Sequence, residues 1–192
     1  MANLADWDGV LPAVLVAPVR DQEARRGLLR ALAARVLELA PERVAVAHEE
    51  GRAPRLVEPA WSGLRLSSAG RAGMAALALG RGPIGVDIEA VEPGAETPWN
   101  VLHPDERIWL SGLPVEEGPR GFARLWAAKE AYLKALGTGL GRESSSFAAL
   151  PAENRRAEMG VIDPAQRASS VSTAWVTQDG REFAVALAEL RP

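Results

Sequence analysis

Apolar and polar positions change rhythm several times along the chain, and each change marks an element. LPAVLVAPV (11–19) is a short apolar run that predicts a buried strand. From Asp21 the rhythm turns helical. Leu28, Leu29, Leu32, Val36, Leu37 and Leu39 fall on one stripe, with Asp21 as N-cap and Pro41 as the stop. RVAVAHEEGRAPRLV (43–57) predicts two strands around a glycine-containing turn. GLRLSS (63–68), GMAALALG (73–80) and IGVDIEAV (84–91) predict three more, the last two joined by the tight turn GRGP. A proline- and glycine-rich loop (92–99) precedes a short helix from HPDERIWL and a longer one over about 120–136 that ends at Gly137. After a poorly patterned stretch, SSVSTAWVTQ and REFAVALAEL are joined at Asp179-Gly180, a strong hairpin signal. The pattern predicts an α+β fold of two similar halves, residues 1–85 and 86–192. Each half is a helix packed on a small antiparallel sheet, and the two are related by a pseudo-twofold axis.

Two segments break their own pattern. In IGVDIE the strand alternation puts Val86 and Ile88 on one face and two acids, Asp87 and Glu89, side by side on the other. Adjacent carboxylates repel unless water, a proton or a cation separates them. On the helix GFARLWAAKEAYLKALG (121–137), Phe122, Leu125, Trp126, Tyr132, Leu133 and Leu136 form the apolar face at about 100° per residue. Lys129 falls in the middle of that face, where a lysine must snorkel or meet an anion. Glu130 and Lys134 lie one turn apart along its edge; read alone, they are an exposed pair contributing about 0.3–0.5 kcal/mol. Taken together, Asp87, Glu89 and Glu130 offer three oxygen donors of the kind Mg²⁺ prefers, with Mn²⁺ as the alternative. Lys129 and Lys134 would neutralise phosphate charge beside it. That combination suits phosphoryl transfer from a diphosphate-containing donor.

Composition narrows the field. Net charge is −3 and the arginines are scattered, which argues against a nucleic-acid partner while leaving room for a local basic pocket. There is no cysteine, so disulfides and thiolate metal sites are excluded. MANLADWDGVLPAVLVAPVR lacks a charged n-region, and its apolar run is short and broken by proline. The expectation is neither a signal peptide nor a membrane partner, and a cytoplasmic protein. GTGLG (137–141) follows a helix and lacks the lysine of a phosphate loop, so it reads as a helix cap and turn. His48 and His103 lack metal-ligand spacing, and His103 before Pro104 reads as a helix start.

IGVDIE, followed some forty residues later by LWAAKEAYLKALGTGL, resembles the paired motifs of 4′-phosphopantetheinyl transferases, in the larger single-chain pseudodimeric subgroup. EARRGLLRALAARVL is similar to that family's first long helix, EEGRAPRL to its hairpin before the substrate cleft, and LRLSSAG to the segment leading into the central strands. The resemblance implies transfer of the phosphopantetheine arm of coenzyme A, the substrate, onto a serine of an acyl or peptidyl carrier protein, releasing 3′,5′-ADP. It implies Asp87, Glu89 and Glu130 as metal ligands, and Glu130 as the base for the serine. Lys134 and Lys129 would serve the diphosphate, and Glu106 is a weaker addition to the acidic cluster. Ser67, Ser68, Arg26 and Arg52 are the candidates on the coenzyme A side, and a pseudodimer favours a monomer in solution. Two positions depart from the pattern: Ser68 stands where the family usually has a histidine that contacts the phosphates, and Ala53 where a lysine is usual. The alternative is therefore a weakened or inactive homologue that binds coenzyme A or a carrier protein as an interaction module.

Overall fold

A computed structural model describes residues 9–49, 51–138, 141–153, 155–166 and 169–190. All of MANLADWD (1–8), Glu50, and Gly139-Leu140 of GTGLG therefore lie outside the described residues.

The described elements run β1 (Ala13–Pro18), α1 (Gln22–Leu37), β2 (Ala45–Ala47), β3 (Arg55–Glu58), β4 (Arg65–Arg71), β5 (Met74–Gly80) and β6 (Ile84–Ala90). They continue with α2 (Pro104–Ser111), α3 (Gly118–Leu136), β7 (Ala148–Pro151), β8 (Glu158–Ile162), β9 (Ser169–Gln178) and β10 (Arg181–Glu189). The α+β expectation holds. One antiparallel sheet has the order β1-β5-β4, a second β6-β10-β9-β8-β7, and β2-β3 form a separate ribbon.

Alternation along the strands stacks these elements into four layers. On β5, Ala75, Leu77 and Leu79 face Leu29, Leu32 and Ala33 of α1. Met74, Ala76 and Ala78 face the other way, onto Ile84, Val86 and Ile88 of β6 and Phe183 and Val185 of β10. The second sheet's far side, with Ala184, Ala186 and Ala188, carries α3. The order through the molecule is thus α1, first sheet, second sheet, α3. Because α3 must be buried on a broad face, Ala127, Ala128, Ala131 and Leu133 are all within 2% exposure.

One expectation is met and one is corrected. GRGP is the tight turn that joins β5 to β6, and because β6 pairs with β10 and not with β5, the chain crosses there from the first sheet to the second. The poorly patterned stretch holds two strands, β7 and β8, which extend the second sheet. Asp179 and Gly180 do form the β9–β10 turn, both in the left-handed region at φ 51° and 75°. His103 starts α2 as read, its ring accepting the Asp105 N–H while Glu106 accepts the His103 N–H at 2.8 Å.

Candidate active site

The site is built where α3 crosses β6. Gly85, Asp87 and Glu89 share the face of β6 that looks at the helix, and their partners on β10 are the small residues Ala188, Ala186 and Ala184. A Cβ at Gly85 would overlap the Ala131 carbonyl oxygen and approach the Ala135 nitrogen within 2.6 Å. The glycine lets the helix backbone lie directly on the strand. That approach brings Lys134 to Asp87, its Nζ 2.6 Å from Oδ1 and 3.3 Å from the Val86 carbonyl oxygen.

Asp87 is 5% exposed, and its other oxygen, Oδ2, is buried with no hydrogen-bond partner. A carboxylate oxygen in that state is an acceptor waiting for a proton or a cation. Burial, aided by the Glu130 charge and opposed by Lys134, pushes the Asp87 carboxyl up to about 6. Glu89 rises to about 7, through burial first and the Asp87 charge second, with Arg71 and Lys134 opposing. Arg71, from the end of β4, places Nε 3.1 Å from Glu89 and Nη2 3.2 Å from Glu92. Glu130 is half-buried on α3, near enough for its charge to raise both acids.

As the side chains stand, no three carboxylates or histidines among the described residues enclose a metal ion. Lys134 and Arg71 take one oxygen each of the strand acids instead. The donor chemistry nevertheless fits an oxygen-seeking dication, for Asp87 has a buried, unsatisfied Oδ2 and lies within reach of the Glu130 charge.

The remaining candidates sit elsewhere. Lys129 is wholly buried; its Nζ donates to Glu106 Oε1 at 2.5 Å and to the Phe147 carbonyl oxygen at 2.7 Å, and lies 4.2 Å from the Phe147 ring centroid. Burial pulls its ammonium below the ordinary lysine value, against the attraction of Glu106. Glu106 also accepts the Ala149 N–H at 2.7 Å. The anion that Lys129 meets is thus Glu106 inside the core and not a phosphate, which corrects the expectation for both residues. Ser67 is buried, and its hydroxyl accepts the Val86 N–H at 3.0 Å, linking the two sheets rather than facing a ligand. Ser68 is half-buried on the α1 side of β4. Arg52 is exposed and pairs with Glu49 at 2.9 Å. Arg26 lines an open cavity of about 570 Å³ between α1 and β2, together with Arg20, Arg30 and His48. Burial, then the charges of Arg26 and Arg25, hold the His48 imidazole below its usual pKa.

Sequence reasoning passed over Gly85, the His48 cavity and the Arg71–Glu89 contact. The first had a signal, since an isolated glycine inside a strand marks a close backbone approach. The others depend on pairings between distant segments.

At this crossing, a strand with paired acids lies under a helix that brings a lysine and a third acid. The family described as the 4′-phosphopantetheinyl transferase superfamily matches residues 83–188, more than half of the chain, and the protein belongs to that superfamily. It is 34% identical over 137 residues to the 4′-phosphopantetheinyl transferase HetI of Nostoc sp., covering 68% of this chain and 57% of HetI. Over 71 residues it is 34% identical to the 4′-phosphopantetheinyl transferase gsp of Aneurinibacillus migulanus, covering 36% of this chain and 30% of the relative. A holo-[acyl-carrier-protein] synthase of Geobacillus kaustophilus is 39% identical over 69 residues, covering 32% of this chain and 54% of the relative. The matches thus span between 30% and 57% of these relatives' own lengths. A crystal structure of a Bacillus anthracis holo-(acyl-carrier-protein) synthase in complex with CoA (3′,5′-ADP) is similar at 23% identity and a TM-score of 0.43, over 57% of this chain and 96% of that one. No described helix is long and apolar enough to cross a membrane.

Proposed function

We propose that this protein transfers the 4′-phosphopantetheine arm of coenzyme A to a serine hydroxyl of an acyl or peptidyl carrier protein, releasing 3′,5′-ADP. The observation that carries the reading is that the segment matching the superfamily, residues 83–188, contains both β6 with its acids and α3 with Glu130 and Lys134. In this reading Asp87, Glu89 and Glu130 hold Mg²⁺, or Mn²⁺, with Asp87 Oδ2 as the oxygen already free to bind. A dication held there would compensate the charge of the diphosphate.

Glu130 makes no ion pair among the described residues and acts as the base, directly or through a water. As the serine oxygen attacks the phosphorus that carries the pantetheine, Glu130 takes the hydroxyl proton. The bond from that phosphorus to the bridging oxygen breaks, and the electron pair leaves with 3′,5′-ADP. Lys134, half-buried and held over Asp87, supplies positive charge where the leaving phosphate gathers negative charge. Arg26, which lines the α1–β2 cavity with Arg20 and Arg30, would bind the nucleotide's phosphate. These guanidiniums stand in for the histidine and lysine that Ser68 and Ala53 replace.

The test is incubation with apo carrier protein, coenzyme A and Mg²⁺, followed by mass spectrometry of the carrier. A mass increase equal to the arm is expected from the native protein, and none from Glu130→Gln with an unchanged melting curve. Full transfer by that variant would remove Glu130 from the mechanism. Coenzyme A binding with no transfer by the native protein would favour the interaction-module alternative.

A further inference from the structure

Arg71 is the last residue of β4, just before the turn in which Ala72 and Gly73 adopt φ of 47° and 82°. From the first sheet it reaches across to the acids of the second, bridging Glu89 and Glu92. The two cations of the site are held differently. Lys134 is half-buried and holds the buried Asp87, whereas the Arg71 side chain is 46% exposed and can leave Glu89 without opening a void. Ionised Asp87, Glu89 and Glu130 bring three negative charges, and Lys134 with Arg71 returns two positive ones. Without Arg71 the site would be one charge more negative. A second arginine lies close to this end of β4. Arg25 Nη1 lies 2.5 Å from where a Cβ of the neighbouring Gly70 would be, so this glycine makes room for a guanidinium from α1.

We propose that Arg71 makes cation binding at the acidic site conditional on a polyanion: seated on Glu89 it weakens the hold on a lone dication, and it strengthens the hold on a dication accompanied by a diphosphate. The inference rests on the reading of Asp87, Glu89 and Glu130 as cation ligands. Its physical basis is the sign of one charge. A guanidinium repels a bare dication, yet attracts the complex once the diphosphate has reversed the local field. At a separation of about 6 Å and water-like screening, the repulsion from a dication corresponds to about tenfold in affinity, and it weakens with added salt.

Calorimetric titrations of Mn²⁺ alone, and of inorganic pyrophosphate with Mn²⁺ present, test this on the native protein, Arg71→Gln and Arg71→Lys. Arg71→Gln is expected to bind Mn²⁺ alone about tenfold more tightly and pyrophosphate with Mn²⁺ more weakly, while Arg71→Lys stays close to the native values in both. Opposite movements of the two affinities are a readout that a merely structural arginine would not produce. Both affinities unchanged in Arg71→Gln, or both moving the same way, would overturn the proposal while leaving the cation site standing. A native protein that binds Mn²⁺ in neither titration would overturn the cation-site reading, and the proposal with it.

Discussion

Lowering the pH from 8 to 5 in the presence of a chelator is expected to stabilise the ion-free protein through Asp87 and Glu89. A carboxyl whose folded-state pKa lies above its unfolded value contributes most below the unfolded value, and the contribution is lost as pH rises through the folded one. Asp87 moves from 3.8 to about 6, and Glu89 from 4.5 to about 7, so the window runs from about pH 4 to 7. At about 1.4 kcal/mol per pH unit, the Asp87 shift is worth about 3 kcal/mol. Part of the Glu89 rise comes from the Asp87 charge, so the two shifts are not independent and the pair together is worth about 3 to 6 kcal/mol. Other groups titrate in this range as well, so the informative quantity is the difference between the native protein and Asp87→Asn/Glu89→Gln, whose amides imitate the protonated acids. Urea unfolding at pH 5 and 8 should show the native protein losing more stability at pH 8 than the double variant. Adding Mg²⁺ should restore that loss at pH 8 and do little at pH 5, where protons occupy the oxygens. Identical pH dependence in both proteins would refute the claim that these carboxylates are buried and uncompensated.

Two further expectations concern the elements that hold the site. Gly85→Ala forces α3 off β6 and should cost about 3 kcal/mol in chemical denaturation, together with loss of transfer, because Glu130 and Lys134 travel with the helix; a native-like melt would mean the close approach is slack. Lys129→Met leaves Glu106 charged and buried without its cation, and should cost about 3–5 kcal/mol, whereas Lys129→Met/Glu106→Gln should recover part of that loss in the same denaturation assay.

What the sequence revealed and what it concealed divide along a physical line. β6 and α3 were legible because each carries its own periodicity: the alternation of Val86 and Ile88 with Asp87 and Glu89, and the apolar stripe from Phe122 to Leu136. The lysine at the centre of that stripe was correctly read as needing an anion. Its partner is Glu106, 23 positions away, which reaches it only because α2 docks beside α3. Local pattern says that a charge must be compensated and not by whom. Ser67 misled for the same reason, since its tie to the Val86 N–H exists only once the two sheets face each other. β8 escaped notice because it is short and carries Gly160 at its middle. GRGP was legible as a turn, but nothing local says that the strand after it pairs with β10, about a hundred residues on, and not with β5. Arg71 has no local signal of its partner, because only the β4–β5 turn sets it against Glu89.

β6 has no spare face. One side cements the two sheets through Ile84, Val86 and Ile88, and the other presents the acids to α3. A methyl group gained or lost at Val86 therefore tilts the same backbone that aims Asp87. In this member of the superfamily, changes that firm the interior and changes that re-aim the acids act on one seven-residue ribbon and cannot proceed independently.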